Sequence, residues 1–460
     1  MSSSTPSPSD QPGLVWFRRD LRLDDNPAWA AATAAHREVV AVFVLEAGLM
    51  HAASRLRRDQ ILAHLQALDE LLRANGGALT VRPGPAEAAI PRAVSDCDAS
   101  AVYLNVDPSP GSLTRDRETE RALAVPVHRF HGLTVHEPGT VLTKKGTLSQ
   151  VFTPFHRTWS AMAPSPWPGP GSGRLATLPG LTISSPSGPV RHAGGERAAW
   201  HRLTSWLDEV DDYASTKDSP AAAGTSDLSA DLTFGTLAAR TVAEVVGTTT
   251  PGREAFVRQL AWRDWWAHTL AERPDLAVRS LRPAYDAIAW RDDPEGFERW
   301  AEGTTGFPIV DAGMRELVQT GWMHGRVRML CASFLVKDLL IDWRRGERFF
   351  RHHLVDADLA QNAGNWQWVA GTGPDAAPYF RVFNPTVQAR RFDPDGEYVR
   401  RWVPELATLP TMFVHEPDAA SPLELAGAGV ILGDNYPAPM VDHSKARRRT
   451  LAAYGDALDR

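Results

Sequence analysis

The segment 356–385, DADLAQNAGNWQWVAGTGPDAAPYFRVFNP, holds the residue types best suited to chemistry. Its first part brings together the carboxylates Asp356 and Asp358, the amide Asn362 and two indoles two positions apart, Trp366 and Trp368. Gly costs about 1 kcal/mol relative to Ala in a helix, and Asn side chains compete for backbone hydrogen bonds. The segment is therefore poorly suited to an ordinary core helix, and we expect its residues to serve something other than packing.

A second candidate lies upstream, where Tyr213 precedes Thr225-Ser226-Asp227-Leu228-Ser229 and then Phe234-Gly235. Closely spaced hydroxyls and backbone N–H groups before a helix form an anion site, because a helix N-terminus presents unpaired donors and a partial positive charge. Taken alone, the motif is more typical of an N-cap or of an Asx or ST turn. Both interpretations stay open at this point.

Familiar catalytic signatures are missing from the sequence. It has no Gly-x-x-x-x-Gly-Lys-Ser/Thr phosphate loop, no His-Glu-x-x-His, no Gly-x-Gly-x-x-Gly after the first strand and no serine hydrolase elbow. Its two cysteines, Cys97 and Cys331, lie far apart and predict neither a disulfide framework nor a cysteine zinc site, and we expect no metal. Any chemistry is therefore expected to come from a bound cofactor, unless the protein does none.

The first third of the chain alternates short apolar runs with amphipathic stretches. The runs rich in Val, Leu, Phe and Tyr predict strands at 14–17, 39–45, 78–82, 101–105 and 125–130. Between them, leucines at helical spacing predict a helix from Ser54, its N-cap, to Asn75, with Gly76-Gly77 as its stop. This alternation predicts an α/β fold with a doubly wound, Rossmann-like parallel sheet, which commonly binds a ligand at the carboxyl ends of its strands.

The composition changes at residues 163–189, where Pro, Gly and Ser dominate and predict a linker. Beyond it the sequence favours helices, at 196–213, 254–272, 311–320, 326–343 and 346–353. We therefore expect a mainly helical second domain. The predicted order is a disordered tail at 1–12, an α/β domain at 13–135, an interdomain linker at 136–195 and a helical domain at 196–460.

Charge and composition limit the class of protein. The formal net charge of −6 argues against non-specific coating of nucleic acid but leaves room for local basic patches. Arginines do cluster near 326–351 and 381–401, although such clusters are often solvated helix faces. No apolar run is long enough to cross a bilayer, and the Ser/Pro-rich start has no signal-peptide pattern. We expect a cytoplasmic protein.

Long blocks of the chain resemble the photolyase/cryptochrome family, most closely its class I cyclobutane pyrimidine dimer photolyases. The resemblance is carried by LVWFRRDLRLDDNPAW, VFTPFHRTW, FPIVDAGMRELVQTGWMHGRVRML, ASFLVKDLLIDWRRGERFF, the segment at 356–385 and YPAPMVDHSKARRRTLAAY. It implies an N-terminal antenna-binding α/β domain and a C-terminal all-α domain that binds FAD. The implied activity is light-driven repair of dimers in DNA by electron transfer from photoexcited reduced FAD.

The resemblance also implies which residues hold the flavin. Those expected to bind it are Tyr213, Thr225, Ser226, Asp227, Leu228, Ser229, Arg328, Asp356, Ala357, Asp358 and Asn362. Within this set, Arg328 is expected to pair with Asp356. Asn362 is expected beside flavin N5, where an amide forms a hydrogen bond without adding charge.

Tryptophans and a basic rim complete the implied site. Trp366, Trp343 and Trp290 match the family's electron-transfer path from flavin to surface. A flipped-out dimer would be bound by Gln259, Trp262, Arg263, Trp266, Gly325, Arg326, Met329, Trp368, Arg381 and Gln388. The alternative for the helix around Trp262 is a tryptophan-rich core face with an Arg263–Asp264 salt bridge.

Some positions depart from the family pattern. Gln259 stands where many dimer-repairing relatives carry Glu, Gly325 replaces a commoner Asn, and Ala230-Asp231 replaces the usual Pro-Tyr. An antenna chromophore is expected near NVDPSPGSLTRDR at 105–117, with 8-hydroxy-5-deazaflavin preferred over methenyltetrahydrofolate because folate-contacting Asn-Glu residues are not evident.

The expected partner is ultraviolet-damaged DNA, bound by a monomer that needs no protein partner, is not attached to a membrane and acts at the nucleoid. Two other functions remain open. A cryptochrome-type blue-light photoreceptor would keep the flavin and the tryptophans but usually carries a C-terminal extension. A (6–4) photoproduct lyase would want two histidines near Trp322, where the sequence offers His324.

Overall fold

The computed structural model describes residues 8–166, 169, 171, 173–374 and 381–459. They fall into two compact units, one made of the described residues up to Asp211 together with Ser226–Pro274, and the other of Asp212–Thr225 with the described residues from Asp275 onwards. Tyr379, Phe380 and their neighbours at 375–380, part of the segment singled out above, lie outside the described residues. None of the described helices is both long and apolar enough to cross a membrane.

The first unit is built on a parallel sheet. Its strands are β1 (Gly13–Phe17), β2 (Glu38–Leu45), β3 (Leu79–Pro83), β4 (Ala101–Asn105), β5 (Val127–Phe130) and β6 (Arg174–Ala176). The order is β3-β2-β1-β4-β5, with β6 also pairing with β2. In register, Val15 lies between Ala41 and Tyr103. The predicted α/β fold is confirmed, and the switch point of the strand order lies between β1 and β4, where such sheets bind ligands.

Strand β6 was not predicted, because it lies in the Pro/Gly/Ser-rich stretch interpreted as a linker. Its backbone pairs with Glu38–Val40 of β2, while β3 pairs with the later residues Ala41–Leu45. The start of β2 is therefore left open for a short strand of almost any composition. Ser9 also forms a parallel bridge with His36, so ordered chain begins before residue 13.

The helices, in chain order, are α1 (Pro27–Ala35), α2 (Ala47–Ala52), α3 (Arg55–Ala74), α4 (Ala86–Cys97), α5 (Pro110–Arg121), α6 (Phe152–Ala161), α7 (Glu196–Trp206), α8 (Tyr213–Thr216), α9 (Ser229–Phe234), α10 (Ala239–Val246), α11 (Pro251–Glu272), α12 (Pro294–Glu302), α13 (Pro308–Thr320), α14 (Gly325–Ser333), α15 (Trp343–His353), α16 (Leu359–Ala370), α17 (Pro385–Phe392), α18 (Glu397–Trp402), α19 (Pro422–Gly427) and α20 (His443–Leu458). As predicted, Ser54 caps α3 by accepting a hydrogen bond from Arg57 N. The second unit is helical, and α13 to α16 supply much of its core.

Two predicted helices, and one segment that was not expected to be a core helix, differ in the structure. The helix predicted at 196–213 ends at Trp206, and a 3₁₀ turn at Val210–Asp212 follows. The helix predicted at 326–343 ends at Ser333, continues as a π-helical turn at Phe334–Asp338, and gives way to Leu340 with a positive φ of 55°. The expectation that the segment 356–385 avoids a core helix is wrong, because α16 forms within it; tertiary packing overrides the weak propensities of its residues.

Candidate active site

The acidic pair before α16 has two separate structural roles. Asp358 is the N-cap residue, and its side chain accepts a hydrogen bond from Gln361 N at 3.0 Å. Asp356 pairs with Arg328 of α14 at 2.8 Å, and its carboxylate is only 3% exposed. The predicted ion pair is therefore present. Arg328 is also held by the Met323 carbonyl at 2.7 Å, so the guanidinium is fixed from two sides.

Asn362 is fixed by a residue that the sequence interpretation missed. Its Nδ2 donates to the backbone carbonyl of Glu347 at 2.8 Å and to Glu347 Oε1 at 3.0 Å. Burial raises the pKa of the Glu347 carboxyl above its usual range, against the lowering effect of Arg351 and of the Asn362 hydrogen bond. Because the NH₂ group is engaged in this way, the amide oxygen remains as an acceptor. The one available signal was a single acid amid the arginines of RRGERFFR.

The three predicted electron-transfer tryptophans all lie in the helical unit. Trp366 on α16 packs edge-on against Phe350 at 5.0 Å, and a Cβ added at Gly346 of α15 would lie 2.2 Å from its ring, so the glycine permits this close approach. Trp343 opens α15 and is fully buried. Trp290 is partly buried and meets Tyr454 edge-on at 6.0 Å. Their role in electron transfer stays a prediction.

The other predicted ligand contacts of the helical unit are arranged around α14, α16 and α17. Arg326 forms an ion pair with Asp218 at 2.7 Å, and its guanidinium lies 4.4 Å from the ring centre of Phe392. Met329 lies one turn later, with its sulfur 3.9 Å from Arg326 Nη1. Trp368 and Gln388 are half-buried, Arg381 is exposed, and a side chain at Gly325 would meet open space.

The residues of the candidate anion site, Tyr213 and the segment 225–229, do not all belong to one unit. Tyr213 opens α8 in the helical unit, where burial, aided by Asp218, raises its pKa to about 12. Thr225 ends that stretch of chain, whereas Ser226–Ser229 belong to the first unit. There Ser226 Oγ accepts a hydrogen bond from Leu228 N at 3.4 Å, which is the ST turn considered in the sequence.

Asp227 holds that turn in an uncommon backbone conformation. Its φ is 53°, and its carboxylate pairs with Arg191 at 2.9 Å and His192 at 3.4 Å. Burial opposes ionisation of Asp227, but the hydrogen bond from His192 and the charge of Arg191 outweigh it and lower the pKa. The turn leading into α9 is therefore fixed by the protein itself.

Helix α11 presents the predicted lesion contacts of the first unit. The Trp262 indole stacks face to face on Phe152 of α6, with ring centres 3.7 Å apart and planes 11° from parallel. Trp265 and Trp266 are fully buried, which fits the alternative of a tryptophan-rich core face for this part of the helix. Gln259 is exposed, and its Nε2 makes one long hydrogen bond, 3.4 Å, to Ala255 O.

The proposed Arg263–Asp264 salt bridge is replaced by other partners. Arg263 donates to the carbonyls of Leu133 and Leu232. Asp264 accepts from Val135 N, His136 N and Trp159 Nε1 at 3.2, 3.0 and 2.9 Å, and its burial raises its pKa. These contacts fasten α11 to the chain at 133–136 and to α6.

The predicted antenna segment lies at the switch point of the sheet. Asn105 ends β4, and its carbonyl and the Asp116 carboxylate both accept hydrogen bonds from Arg18, which follows β1. Asp107 accepts from Ser109 N at 3.0 Å and from Ser112 Oγ at 3.1 Å. The carboxyl ends of β1 and β4 therefore carry a buried, polar lining.

Comparison with known proteins identifies the family of the chain. The family described as "DNA photolyase" matches residues 13–171, and the one described as "FAD binding domain of DNA photolyase" matches residues 256–456. The deoxyribodipyrimidine photo-lyase of Agrobacterium fabrum is 40% identical over 473 residues, covering 96% of this chain and 97% of that protein.

Solved structures of the same family share the fold. A bacterial class III photolyase from Agrobacterium tumefaciens superposes with a TM-score of 0.92 at 38% identity, covering 100% of both chains. The cryptochrome of Synechocystis superposes with a TM-score of 0.89 at 29% identity, covering 97% of this chain and 100% of that one. The chain belongs to the DNA photolyase family.

Proposed function

We propose that this protein splits cyclobutane pyrimidine dimers in DNA, using light absorbed by a reduced FAD. The observation that carries the proposal is the full-length likeness, at 40% identity, to an enzyme named for this reaction. The fixed Asn362 amide and the Arg328–Asp356 pair are consistent with that likeness, since both are built before any ligand binds.

The residues of the helical unit fit a flavin. An amide oxygen, a buried ion pair and an N-cap carboxylate form a donor and acceptor set suited to a ring system with N–H groups and a ribityl chain. FAD, when bound in its reduced state, supplies the photoexcited electron that opens the dimer. Asn362 would accept a hydrogen bond from an N–H at the N5 position and so would favour a protonated flavin. Glu347 keeps the amide in that orientation.

The tryptophans refill the cofactor in this proposal. Trp366 and Trp343 lie in the core, and Trp290, half-buried, is the one of the three with access to solvent. When the positive charge has passed outward to Trp290, the oxidised Trp290 would be reduced by an external electron donor. Restoring the reduced flavin through these tryptophans would thus be separate from repair, which causes no net redox change.

Aromatic, amide and basic side chains of the predicted set would bind the lesion in this proposal. A dimer distorts its own base step, so extruding it costs less than extruding an intact base. Trp262 and Trp368 offer indole faces, Met329 a flexible apolar contact, and Gln259 an amide that donates to a pyrimidine carbonyl. Three further residues would contact the phosphate backbone, namely Arg326, Arg381 and Gln388. Arg263 and Trp266 contribute indirectly, because their described contacts hold α11 in place.

Residues 13–135 form the antenna domain in this proposal, and 196–460 the catalytic domain. A deazaflavin antenna would bind the first of these at the carboxyl ends of β1 and β4, where Arg18, Asn105 and Asp116 meet. The enzyme acts as a monomer on chromosomal DNA, because a single lesion requires one active site.

A photoreceptor is the second candidate, supported by the 29% identity to a cryptochrome along with the shared fold. A (6–4) lyase is less well supported. His324 is buried as the N-cap residue of α14, and burial, with Arg328 adding, lowers its pKa to about 4. It is therefore neutral at physiological pH and poorly suited to act as the acid that such an enzyme needs.

The deciding experiment incubates reduced holoprotein with ultraviolet-irradiated oligothymidine under blue light and follows the return of thymine absorbance. We expect recovery in the light and none in the dark. A protein that binds and photoreduces flavin but leaves dimers intact would favour the photoreceptor. In the same assay Trp290→Phe should slow photoreduction but keep repair by pre-reduced enzyme within about twofold. Equal loss of both would remove the separate role of Trp290.

A further inference from the structure

A tight turn before α6 displays two adjacent lysines. The sequence has five lysines, and Lys144 and Lys145 are the one adjacent pair. Thr143 N donates to the Thr147 carbonyl at 2.8 Å, Gly146 N donates to the Thr143 carbonyl at 2.9 Å, and the two threonine hydroxyls lie 3.0 Å apart. Gly146 has a φ of 75°, which suits glycine. The turn at 143–147 is therefore well defined, and both lysine side chains are exposed.

The chain leaving this turn is fastened to α11 at two points. The carbonyl of Ser149 accepts a hydrogen bond from Trp265 Nε1 at 2.9 Å. Three residues later, Phe152 stacks on Trp262. Because four residues of extended chain span at most about 14 Å, Lys145 is confined near the helix that carries the proposed lesion contacts. A well-defined basic turn thus lies a few residues before the chain that packs on the indole expected to meet the dimer.

The charges of the turn are available to a ligand. Neither lysine forms an ion pair within the described part of the chain, whereas many of its arginines are paired with carboxylates or backbone carbonyls. The protein as a whole is acidic, at −6, so attraction to a polyanion has to arise locally. An ammonium contributes to DNA binding as a point charge that displaces condensed counterions, without reading sequence.

We propose that the turn at 143–147 is an additional DNA-binding element, in which Lys144 and Lys145 contact phosphates beside the extruded dimer. The inference rests on the proposed function, because it takes the DNA to approach Trp262. The turn holds the strand next to the lesion, while Trp262 and Gln259 recognise the lesion itself. Loss of the lysines should therefore weaken damaged and undamaged DNA alike and leave discrimination between them intact.

The test measures binding of a dimer-containing duplex and of the matching undamaged duplex as a function of salt concentration. Each phosphate contact adds roughly 0.9 to the slope of log K against log salt, so Lys144→Gln/Lys145→Gln should reduce that slope by about 1.8. Affinity in low salt should fall at least about tenfold for both duplexes. Lys144→Arg/Lys145→Arg should retain the slope, and photoreduction should be unchanged in both variants.

Lys445→Gln/Arg447→Gln is the matched control, because it removes two exposed positive charges from α20 of the other unit. An unchanged slope in the double lysine variant, or an equal fall in the control, would overturn the inference. Selective loss of dimer binding would also contradict it, since that result assigns the turn to lesion recognition. A wild-type protein that binds DNA but splits no dimers would instead overturn the proposed function.

Discussion

Helices α16 and α11 and their caps carry the same kinds of residue, tryptophans beside amides and acids. The polar side chains of the two helices differ in how completely they are hydrogen-bonded. On α16, Gln367 donates to the carbonyls of Leu276 and Arg279 at 2.6 and 2.8 Å and accepts from Leu281 N at 2.8 Å. Asn362 is likewise held by Glu347. On α11, Asp264 is as firmly bound, but Gln259 is exposed with one long bond to its own helix.

We attribute this difference to how long each expected ligand, a cofactor at α16 and a DNA lesion at α11, stays bound. A permanently bound cofactor binds more tightly when the protein orders its binding groups in advance, because binding then costs less conformational entropy. A DNA lesion must enter and leave in every turnover, so part of its recognition surface stays solvated until DNA arrives. We infer that α16, the retention side, is arranged to keep a bound cofactor. The open face of α11 around Gln259 and Trp262, the exchange side, is arranged to bind and release DNA.

The largest expected effect tests the retention side. Arg328→Leu removes the partner of the buried Asp356 carboxylate and should lower the free energy of unfolding by about 3 kcal/mol. The purified protein should also carry much less flavin. Thermal unfolding and the ratio of flavin to protein absorbance measure both effects.

A second variant separates the effect of the unpaired Asp356 charge from the effect of the changed side-chain shape at Arg328. Arg328→Leu/Asp356→Asn removes the stranded charge and should recover much of the stability. Arg315→Leu is a comparison within the same unit, because its partner Glu405 is 26% exposed and the cost should be nearer 1 kcal/mol, roughly that of a surface pair. Equal losses at Arg328 and Arg315 would mean that burial of the flavin-side pair is unimportant.

The next effect lies on the exchange side. Phe152→Leu keeps an apolar side chain but removes the flat ring beneath Trp262 and should weaken dimer binding by about 1 kcal/mol, roughly fivefold. Undamaged DNA should bind as before. Phe155→Leu is the matched control, since Phe155 is equally buried on α6 but packs edge-on against His268 at 5.3 Å. If both variants bind dimers equally well, the stack does not position Trp262.

The sequence was most informative where local chemistry decides the structure. Alternating apolar runs located five strands to within two residues, and Ser54 capped α3 as its side-chain chemistry predicts. The Glu347 partner of Asn362 was missed because it lies 15 residues away on another helix, and no local pattern encodes that packing. The same holds for Phe152 beneath Trp262, and for β6, whose pairing depends on a free stretch of β2.

A smaller effect on the retention side comes from pH. Burial raises the pKa of Glu347 above its ordinary 4.5, so between that value and the raised one the folded protein binds more protons than the unfolded chain. The contribution of Glu347 to stability is thus complete below pH 4.5 and is lost as the pH rises through the folded pKa. Glu347→Gln cannot titrate and keeps an amide oxygen for Asn362.

Denaturant unfolding of both proteins from pH 4 to pH 8 measures this change. The stability of the wild type relative to Glu347→Gln should decline as the pH rises. A difference that stays constant with pH, or that grows in favour of the wild type, would show that the carboxyl does not titrate as its burial requires. The flavin spectrum should respond in parallel, because the same carboxyl orients the Asn362 amide.

The smallest effect is expected at Gln259, on the exchange side. An exposed Glu there should titrate near the ordinary value of about 4.3 in free protein and be anionic at neutral pH, whereas the native amide is neutral throughout. Against a bound dimer the carboxyl would become partly buried, and its protonated form could donate to a pyrimidine carbonyl that gains negative charge. Gln259→Glu should therefore make repair depend on pH, with a yield about twofold higher on the acid side.

Repair yield per absorbed photon, measured from pH 5 to pH 8 with saturating DNA, tests this expectation. The wild type should show no pH dependence from this position, and Gln66→Glu on α3 serves as a control for added charge. A flat profile for Gln259→Glu would place the residue away from the dimer and leave Trp262 as the lesion contact of α11. A pH-dependent profile would show that the open face of α11 sets the chemistry of the substrate as well as its affinity, because a solvated side chain there can change protonation when the lesion covers it.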